Sequence, residues 1–600
     1  MGIYRALLLF VAAAITLTAA PAGADLYAKN CAGCHEVLSP LQNRNAFKTM
    51  TPDYILHVLD DGVMRLQAAK LSNVERAAVA EYLTGTSPKS GGVAESGKCS
   101  GPPPSNFKGP AWNGWGADLD NSRSQSAEAA GIAADQISRL KLKWAFGFPG
   151  DYSAYAQPVI AGGRVFVGSA GGKVYSLDAK TGCSYWTFDA GTGVRSAITI
   201  DPVAGIAYFG DAHANVYALD AVTGKQIWKT QVEDYPTARV TGAPKMFKDL
   251  LFVPVASRDE WMSVDPRFAC CKFRGSVVAL DTRTGKQIWK TYTITQPARP
   301  TLKTKAGTQL WGPSGVGVWT SPTIDPKRGV LYVGTGDSYS EPPTPLSDSI
   351  LALDLATGKI AWSRQLTEGD VFNGNCLQPK PSTCPGTIGP DSDFGSSPIL
   401  RTLPSGKRVL IAGQKSGVVH ALDPDAKGKV LWQTRVGKGG MLGGIQWGPA
   451  ADRDSVYVAL SDVGLIPAPE GVIPDPKQGG GLFAIQLSTG EKFWSVLPPE
   501  SGCKTRRCSP AQSAAVTVIP GVVFSGSLDG HLRAYAAKDG AILWDYDTAR
   551  DFETVNGVPA KGGALDGPGV AIAGGLLVVN SGYGFFNGIS GNVLLAFGVE

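Results

Sequence analysis

Two cysteines and a histidine near the start of the chain have the spacing of a covalent haem site. Residues 31–35 read Cys-Ala-Gly-Cys-His. Two thiols at this spacing can form thioethers to both vinyl groups of a haem, and the next residue places an imidazole under the iron. A redox Cys-x-x-Cys pair is the alternative, but it does not need His35. The pattern therefore predicts a haem c held by Cys31 and Cys34, with His35 on the iron.

A methionine is expected as the second iron ligand, because a thioether sulfur favours a positive haem potential. Met64 lies a short loop before the last helical stretch of the segment. The ligand has the same place in the small class I cytochromes c, which this segment resembles. Met64 is therefore the predicted ligand, and Met50 is interpreted as a core side chain. His57 lies in a helical run and is interpreted as a packed or surface residue.

The haem motif belongs to residues 25–86, which we interpret as a small all-α cytochrome c domain. Val79 and Leu83 fall on one face of a helix. Ser72, with Glu75 three residues later, has the pattern of a helix N-cap. Two helices around a covalent haem would make this segment an electron carrier.

The segments on either side of this domain have other roles. Residues 1–24 read as a secretory signal, with Arg5, an apolar run and the small residues Ala22–Ala24. The apolar run is too short for a spanning helix with its own flanks. We therefore expect export to the periplasm, cleavage after about Ala24 and no membrane span in the mature chain. Residues 87–110 are rich in Gly, Ser and Pro and are typical of a linker.

A repeated phrase dominates the rest of the chain, residues 111–600. Its clearest copy, ALDAVTGKQIW, ends at Trp228, and an alternating run comes before it. Alternating runs separated by Gly turns and ending in Trp describe small antiparallel sheets, the blades of a propeller. Seven units end in Trp, and an eighth lacks its last strand, whereas an extra strand with Trp144 comes before the first unit. We predict a mainly β fold with eight blades and Trp-docking motifs, closed by this extra strand. An open β-solenoid is the alternative.

Composition indicates which class of partner is disfavoured and whether the cysteines can form disulfides. A formal charge of +5 over 600 residues, with scattered basic side chains, disfavours nucleic acid as a partner. An exported chain can use its ten cysteines for disulfides. Local pairs are expected in two loops, and one long-range pair is considered; these are Cys376 with Cys384, Cys503 with Cys508, and Cys99 with Cys183.

The propeller resembles the pyrroloquinoline quinone (PQQ) dehydrogenases, which are eight-bladed quinoproteins. The stretch GVGVWTSPTIDPKRGVLYVGTGD carries this resemblance first. It implies that Trp319 stacks under the quinone and that Asp337 takes the place of a metal-ligand Asn. In PPTPLSDSILALD, the resemblance makes Asp348 the catalytic base. The short loop between Asp337 and Asp348 led us to expect an open active site.

A second stretch, VTGAPKMFKDLLFVPVASRDEW, matches further cofactor positions of the family. The resemblance implies that Thr241 and Ser257 hydrogen-bond PQQ and that Glu260 binds the metal. With Asp337 and Asp348, Glu260 would form an oxygen-rich calcium site. Lanthanide-using relatives carry an Asp two residues after the base, but Ile350 stands here. We therefore expect Ca²⁺.

The remaining predicted site residues also rest on the resemblance. Adjacent cysteines form a disulfide against PQQ in several relatives, although the pair comes one blade earlier in methanol-oxidising members. The predicted contacts are Cys270 and Cys271 as this disulfide, Arg195 on a PQQ carboxylate, Lys415 on the quinone oxygens, and Gln446 and Trp447 in a cofactor-contact turn. Lys415 would stabilise the reduced, anionic quinol and is counted with Asp348 as catalytic.

Three stretches carry a finer resemblance: AWNGWGADLDNSRSQ at 111–125, LKLKWAFGFPG at 140–150 and CCKFRGSVVALD. Together with the N-terminal placement of the haem segment, they look most like the polyvinyl-alcohol dehydrogenases within this family. This resemblance implies oxidation of secondary alcohols of a polymer to ketones, with electrons passing through haem c to an external cytochrome c. A PQQ dehydrogenase of small alcohols or sugars is the first alternative. A non-enzymatic propeller scaffold of the cell envelope is the second.

Overall fold

The structure is a computed structural model. It describes residues 23–36, 43–60, 64, 67–87, 96–305, 307–378, 381–469, 471–498, 503, 505–584 and 587–600. The predicted signal peptide lies outside these residues, except for Gly23 and Ala24, which begin the first helix. Within the described ranges, no helix combines the length and apolar character that a bilayer crossing requires.

The N-terminal segment is helical, as predicted. Its helices are Gly23–Asn30, Ala32–His35, Arg44–Phe47, Pro52–Asp60 and Asn73–Thr84. The last helix begins at a complete capping box, because the Ser72 side chain accepts from Glu75 N and the Glu75 side chain accepts from Ser72 N. The buried side chains of Ile55, Val79 and Leu83 belong to one apolar core. We refer to residues 23–87 below as the haem module.

The rest of the chain forms eight antiparallel sheets, numbered here as blades in chain order. Blade 1 consists of Val159–Ala161, Arg164–Gly168, Lys173–Asp178 and Ser184–Asp189. Blade 2 consists of Thr199–Asp201, Ile206–Gly210, Asn215–Asp220 and Gln226–Gln231. Blade 3 is Ala238–Arg239, Lys245–Phe247, Leu250–Ser257, Ser276–Asp281, Gln287–Tyr292. Blade 4 is Thr323–Asp325, Val330–Gly334, Ser349–Asp354, Ile360–Gln365. In blades 1, 2 and 4 each strand pairs with the next strand of the blade, whereas in blade 3 both Ala238–Arg239 and Lys245–Phe247 pair with Leu250–Ser257.

The second half of the ring repeats this plan. Blade 5 consists of Ile399–Thr402, Arg408–Gly413, Val418–Asp423 and Lys429–Arg435. Blade 6 consists of Ala450–Ala451, Ser455–Ala459, Leu482–Gln486 and Lys492–Val496. Blade 7 is Thr517–Ile519, Val522–Gly526, His531–Ala536, Ile542–Asp547. Blade 8 is Ala571–Ala573, Leu576–Ser581 and Val593–Val599, completed by Leu140–Gly147. That N-terminal strand pairs antiparallel with Val593–Val599, so the predicted closure of the ring is confirmed.

Smaller elements lie between the blades. The helical turns are Ala127–Ala130, Ala134–Arg139, Asp259–Met262, Gly374–Leu377 and Pro424–Ala426. Short hairpins pair Arg299–Lys303 with Gln309–Gly312, Ser314–Gly315 with Ser338–Ser340, Leu465–Ala468 with Gly471–Pro474, and Asp551–Phe552 with Ala560–Lys561. The turn Asp259–Met262 is an insert of blade 3, Ser338–Ser340 is an insert of blade 4, and the hairpin of Leu465–Ala468 with Gly471–Pro474 is an insert of blade 6.

The repeated tryptophan joins each blade to the next. Trp186 Nε1 donates to the carbonyl of Ala221, 3.1 Å away in blade 2. Its ring covers Gly224, where an added Cβ would lie 2.7 Å from the indole and where φ is +74°. Glycine is therefore required both by backbone conformation and by space. The same indole hydrogen bond is made by Trp144, Trp228, Trp289, Trp432 and Trp494.

Disulfides hold several loops in place. The bonds are Cys99–Cys183, Cys270–Cys271, Cys376–Cys384 and Cys503–Cys508, which confirms each expected pair. Cys31 and Cys34 are the free cysteines, as a covalent haem requires. The second half of the predicted linker packs on the propeller, since Phe107 is buried in the core between blades 1 and 2.

Candidate active site

A cluster of buried carboxylates lies where the inserts of blade 4 meet the loop before blade 5. Asp337 follows the strand Val330–Gly334, and Asp391 and Asp393 precede blade 5. Ligand oxygens of these three aspartates lie within 4.8 Å of one another. The Asp337 backbone N–H also donates to Asp393 Oδ1 at 2.7 Å. Oxygen groups this close are suited to a hard cation.

Lys415 of blade 5 supplies a positive charge to this cluster. Its Nζ donates to Asp391 Oδ1 at 2.7 Å and to Asp393 Oδ2 at 2.9 Å. The same Nζ lies 5.5 Å from the centre of the Trp319 ring. Lys415 is therefore placed between the carboxylates and the aromatic floor that the sequence predicts for the quinone.

Asp348 lies in the same buried region and has unused oxygens. Its backbone N–H donates to Gly336 O at 3.1 Å, and its φ is +48°. Both of its carboxylate oxygens, and both of those of Asp337, are buried without a hydrogen-bond partner. Burial, followed by the nearby Asp370 and Asp393, raises the pKa of Asp348 well above its usual range. Such oxygens need a ligand to interact with.

Glu260, a predicted metal ligand, comes from another blade; the compact group of ligand oxygens is Asp337, Asp391 and Asp393, and it does not contain Glu260 or Asp348 among the described residues. It lies on the helical turn Asp259–Met262, in the insert of blade 3. Asp259 fixes this turn, because its carboxylate accepts from Tyr235 OH at 2.9 Å and from Thr237 Oγ1 at 2.5 Å. Burial, followed by Asp391, raises the pKa of Glu260 well above its usual range. The structure therefore brings Glu260 near the aspartates of blades 4 and 5.

The charge balance of this region fits a bound cation. Among the described residues, the cation that interacts with this cluster is Lys415. Six carboxylates interact in this region, namely Glu260, Asp337, Asp348, Asp370, Asp391 and Asp393. Burial of like charges is costly unless they are paired or bind metal. A divalent cation would supply the missing positive charge and use the orphan oxygens.

Beside the carboxylates lies an aromatic chamber. The rings of Trp319 and Trp447 meet edge to face with centroids 5.6 Å apart. Arg195 lies over Trp447 at 4.4 Å, and the Thr241 hydroxyl donates to Trp319 O at 3.3 Å. These four residues line one cavity. A flat, anionic aromatic cofactor fits such a wall of rings and cations.

The Trp319 indole is held in position by the backbone that packs against it. An added Cβ at Gly395 would lie 2.4 Å from Trp319 Cη2, so the indole packs directly on the Gly395 backbone. Gly395 comes two residues after Asp393. The same short loop therefore supplies a carboxylate to the cluster and a surface for the indole.

Three other predicted contact groups lie nearby but have other partners within the protein. The Ser257 hydroxyl accepts from Asp259 N at 3.3 Å. The Gln446 amide donates to Gly443 O at 2.6 Å. The Cys270–Cys271 disulfide lies behind the Glu260 turn, with Cys271 Sγ 4.0 Å from Asp259 O. These residues shape the walls, and their contact with a cofactor stays a prediction.

Sequence reasoning missed Asp370, Asp391 and Asp393. A usable signal existed, because the loop before the first strand of a blade carries Trp319 in blade 4 and Gln446 with Trp447 in blade 6. The equivalent loop of blade 5, DSDFGSSP, holds Asp391 and Asp393. A comparison of equivalent loops around the ring would have selected both.

The candidate haem site lies in the core of the haem module. Cys31 and Cys34 are half-buried and free. The His35 ring meets Phe47 edge-on at 4.9 Å. Met50 is buried in this core, whereas Met64 packs at its edge and is half-buried. Both methionines therefore lie in the module core that holds Cys31, and the preference for Met64 stays a prediction.

The haem module docks on the propeller near the Glu260 turn. Tyr152, from the loop after the closing strand, is buried in the core of the module. Thr51 Oγ1 donates to Gly150 O at 3.1 Å. Gln67 Nε2 contacts Met262 Sδ at 3.8 Å, and Met262 belongs to the same turn as Glu260. One turn thus contacts the module and contributes to the carboxylate cluster.

Comparison with known proteins assigns the class. The chain matches the family described as "Outer membrane protein assembly factor BamB" over residues 125–301 and 415–584. It matches "Glucose/ethanol/alcohol dehydrogenase, beta-propeller domain" over residues 234–381. Residues 18–83 match "Cytochrome C oxidase, cbb3-type, subunit III". Together with the relatives below, these matches show that the chain belongs to the PQQ-dependent alcohol dehydrogenase family and carries a cytochrome c domain.

Two full-length relatives are more specific. The chain is 40% identical to "Polyvinylalcohol dehydrogenase" of Pseudomonas sp over 97% of this chain and 94% of that protein. It is 38% identical to "Polyvinylalcohol dehydrogenase" of Sphingopyxis sp. (strain 113P3) over 96% of this chain and 93% of that protein. Among solved structures, "Europium-containing methanol dehydrogenase" shares the fold, with a TM-score of 0.60, 18% identity and coverage of 82% of this chain and 98% of that one.

These matches confirm the predicted family, eight-bladed fold and enzyme class. The protein is a PQQ-dependent alcohol dehydrogenase whose cofactors include PQQ and haem c. The scaffold alternative gives way to the enzyme prediction. The match to the assembly-factor family reflects shared blade repeats, and the dehydrogenase relatives cover almost the whole chain.

Proposed function

We propose that this enzyme oxidises secondary alcohol groups of a polyvinyl-alcohol-type polymer to ketones. The observation that carries this proposal is the likeness to two polyvinylalcohol dehydrogenases over more than nine-tenths of the chain. We further propose residues 1–24 as a signal peptide, 25–86 as the cytochrome c domain, 87–110 as the linker and 111–600 as the propeller. Export would place the reaction in the periplasm.

Asp348 is the proposed base of the reaction. When bound, PQQ supplies a two-electron acceptor for the hydride of the carbinol carbon. The chain must then remove the hydroxyl proton, and the unpartnered Asp348 oxygens can accept it. A cation beside Asp348 would counter the burial that raises the pKa of this carboxyl. The base would therefore be ionised when the site is loaded.

Calcium is the proposed cation, and the acidic cluster is its proposed site. Glu260 and Asp337 are the ligands that the family resemblance implies, and Asp391 and Asp393 add oxygens beside Asp337. Six to eight oxygen ligands are usual for Ca²⁺. Lys415 is held by Asp391 and Asp393, so its charge would be fixed beside the Trp319 ring, over which PQQ would bind.

The haem module is the proposed exit for electrons. The module contacts Met262, which comes two residues after Glu260 in the chain, so the module docks close to the proposed metal site. Single electrons would pass to haem c at Cys31 and Cys34 and then to an external cytochrome c. The docking contacts support a fixed position during turnover.

A substrate panel tests the proposal. Enzyme reconstituted with PQQ and Ca²⁺ is given polyvinyl alcohol, a short secondary diol and ethanol, and haem reduction is recorded. The proposal expects the polymer and the secondary diol to reduce the haem faster than ethanol. Equal or faster reduction by ethanol would instead favour the alternative, a dehydrogenase of small alcohols.

A further inference from the structure

Three arginines without carboxylate partners lie close enough to interact, and one of them, Arg195, lines the chamber. They are Arg195 of the loop before blade 2, and Arg239 and Arg258 of blade 3. Within the described ranges, none of them belongs to a salt bridge. Arg195 Nη2, Arg239 Nε and Arg258 Nε are buried and lack a hydrogen-bond partner. The three side chains are half-buried, and guanidinium groups with buried, unused donor atoms point to a ligand that accepts hydrogen bonds.

Strand pairing places two of these arginines side by side. Arg239 pairs with Ala256, and Ala238 pairs with Ser257. Arg239 and Ala256 therefore share one face of this strand pair, and Arg258 comes directly after the strand ends at Ser257. Arg258 is further fixed by its backbone N–H, which donates to Thr237 O at 3.1 Å.

The neighbours of this pair belong to the PQQ chamber. Thr241, two residues after Arg239, lines the cavity together with Arg195, Tyr155 and Trp319. Arg258 directly follows Ser257 and comes two residues before Glu260. Both arginines are therefore attached to segments that already shape the chamber.

The electrostatic setting agrees with an anionic ligand. Burial, followed by the nearby Arg258, lowers the pKa of Arg239 to about 9. Asp566 is near Arg195, but its Oδ1 accepts from Trp447 Nε1 at 2.6 Å. Three neighbouring cations repel one another in a buried site, and bound carboxylates would remove that repulsion.

We propose that Arg239 and Arg258 join Arg195 in binding the carboxylates of PQQ. PQQ carries three carboxylate groups, so three guanidinium groups can match its charge and offer two-pronged hydrogen bonds. This inference rests on the PQQ chamber of the proposed site, but it does not depend on which alcohol is oxidised. The family resemblance implied Arg195 alone.

The test compares PQQ with its trimethyl ester, which keeps the ring system but carries no carboxylate charge. The variants are Arg239→Gln and Arg258→Gln, with Arg239→Lys to keep the charge without the fork. The control is Arg274→Gln, because Arg274 of the same blade donates to the carbonyls of Ile294 and Thr295. Full-length protein with covalent haem and without PQQ is dialysed against each probe with Ca²⁺.

Each Gln variant is expected to weaken PQQ binding roughly 10- to 100-fold, as a lost charged hydrogen bond would. Ester binding should change less than about threefold, the control should change neither, and the Lys variant should fall between. PQQ-free Gln variants should unfold at the same or a higher temperature than the parent, since a buried repulsion is removed. Unchanged PQQ binding, or an equal loss for the ester, would overturn the assignment.

A haem propionate is the other carboxylate that these arginines could meet, because Arg258 lies near Tyr54 of the haem module. The haem midpoint potential of the PQQ-free variants separates the two sources. The proposal expects that potential to match the parent protein. A shifted potential together with unchanged PQQ affinity would assign the arginines to the haem and refute the proposal.

Discussion

Replacing Asp348 with Asn tests the proposed base without altering the shape of the site. Asp348 has φ of +48°, a left-handed conformation that Asn also adopts readily. Its oxygens have no hydrogen-bond partner, so an amide breaks no contact of the folded chain. The Asn side chain cannot accept the hydroxyl proton of an alcohol. General-base catalysis is typically worth about 10²- to 10⁴-fold, so we expect a fall in kcat of this size.

The assay follows haem reduction after the PQQ- and Ca²⁺-loaded enzyme is mixed with a secondary alcohol. PQQ content is measured on the same samples, and it should stay within about twofold of the parent protein. In EDTA, the variant should be at least as thermally stable as the parent, because nearby carboxylates repel Asp348. This combination separates a lost base from a lost fold.

Asp354→Asn is the matched control, since Asp354 ends the strand that begins just after Asp348. Its Oδ1 accepts from Thr357 N at 2.8 Å and from Thr357 Oγ1 at 2.7 Å, so it stabilises a turn. We expect this control to lose some stability and to keep kcat within about twofold. A kcat for Asp348→Asn within tenfold of the parent would refute the base assignment. So would a loss of activity that only follows a loss of PQQ.

Three further predictions concern stability and docking. Trp228→Ala should cost about 3–5 kcal/mol of unfolding free energy, whereas Ile227→Ala, at a side chain 49% exposed, should cost less than about 0.5 kcal/mol in chemical denaturation. Burial lowers the pKa of His420 to about 4. The neutral form of His420 therefore contributes to the free energy of unfolding above about pH 6.5, and roughly 3 kcal/mol of that contribution is lost as the pH falls towards 4. Chemical denaturation measured across this pH range should show a smaller loss of stability for His420→Gln than for the parent protein. Tyr152→Ala should speed proteolysis of the linker and slow haem reduction, yet leave reduction of a small dye by PQQ unchanged; equal slowing of both would contradict the docking role.

The neutral state of His420 follows from its partners. Gln433 Nε2 approaches its Nδ1 at 2.8 Å, and its Nε2 lies 3.2 Å from Gln414 Oε1. An amide N–H donates, so Nδ1 must accept and Nε2 must carry the proton. Protonation of Nδ1 would break the bond to Gln433. An acid transition unchanged by His420→Gln would show that other groups control it.

The propeller could be predicted because its information is local. Each Asp-x-x-Thr-Gly turn and the following Trp lie within a few residues of one another, and six tryptophans make the same indole hydrogen bond to the neighbouring blade. At Asp220, the carboxylate accepts from Thr223 N at 2.7 Å, and the next glycine carries the Trp186 ring. Even ring closure was visible, since the strand with Trp144 had no other partner. Alternation and turn chemistry thus specify the blades directly.

The site was less predictable because its contacts join distant loops. Asp337 and Asp393 share a hydrogen bond across 56 residues, and no local pattern links them. The family resemblance supplied Glu260, Asp337 and Asp348 one by one, each at its own motif. It gave no information on Asp391, whose role depends on the position of Lys415. Such groups meet only after the ring has closed.

The position of the haem module shows the same limit. The Gly-, Ser- and Pro-rich composition of the predicted linker does not specify where the module lies, whereas in the structure Tyr152 is inserted into the core of the module. Its hydroxyl lies 3.2 Å from Thr49 Oγ1, a contact between residues 103 apart in the chain. A buried aromatic ring contributes far more than surface polar contacts, so docking depends mainly on this side chain. The Glu260 turn adds the contact of Met262 with Gln67. The same four-residue turn therefore carries both the contact with the haem module and Glu260, two features that the sequence pattern did not connect.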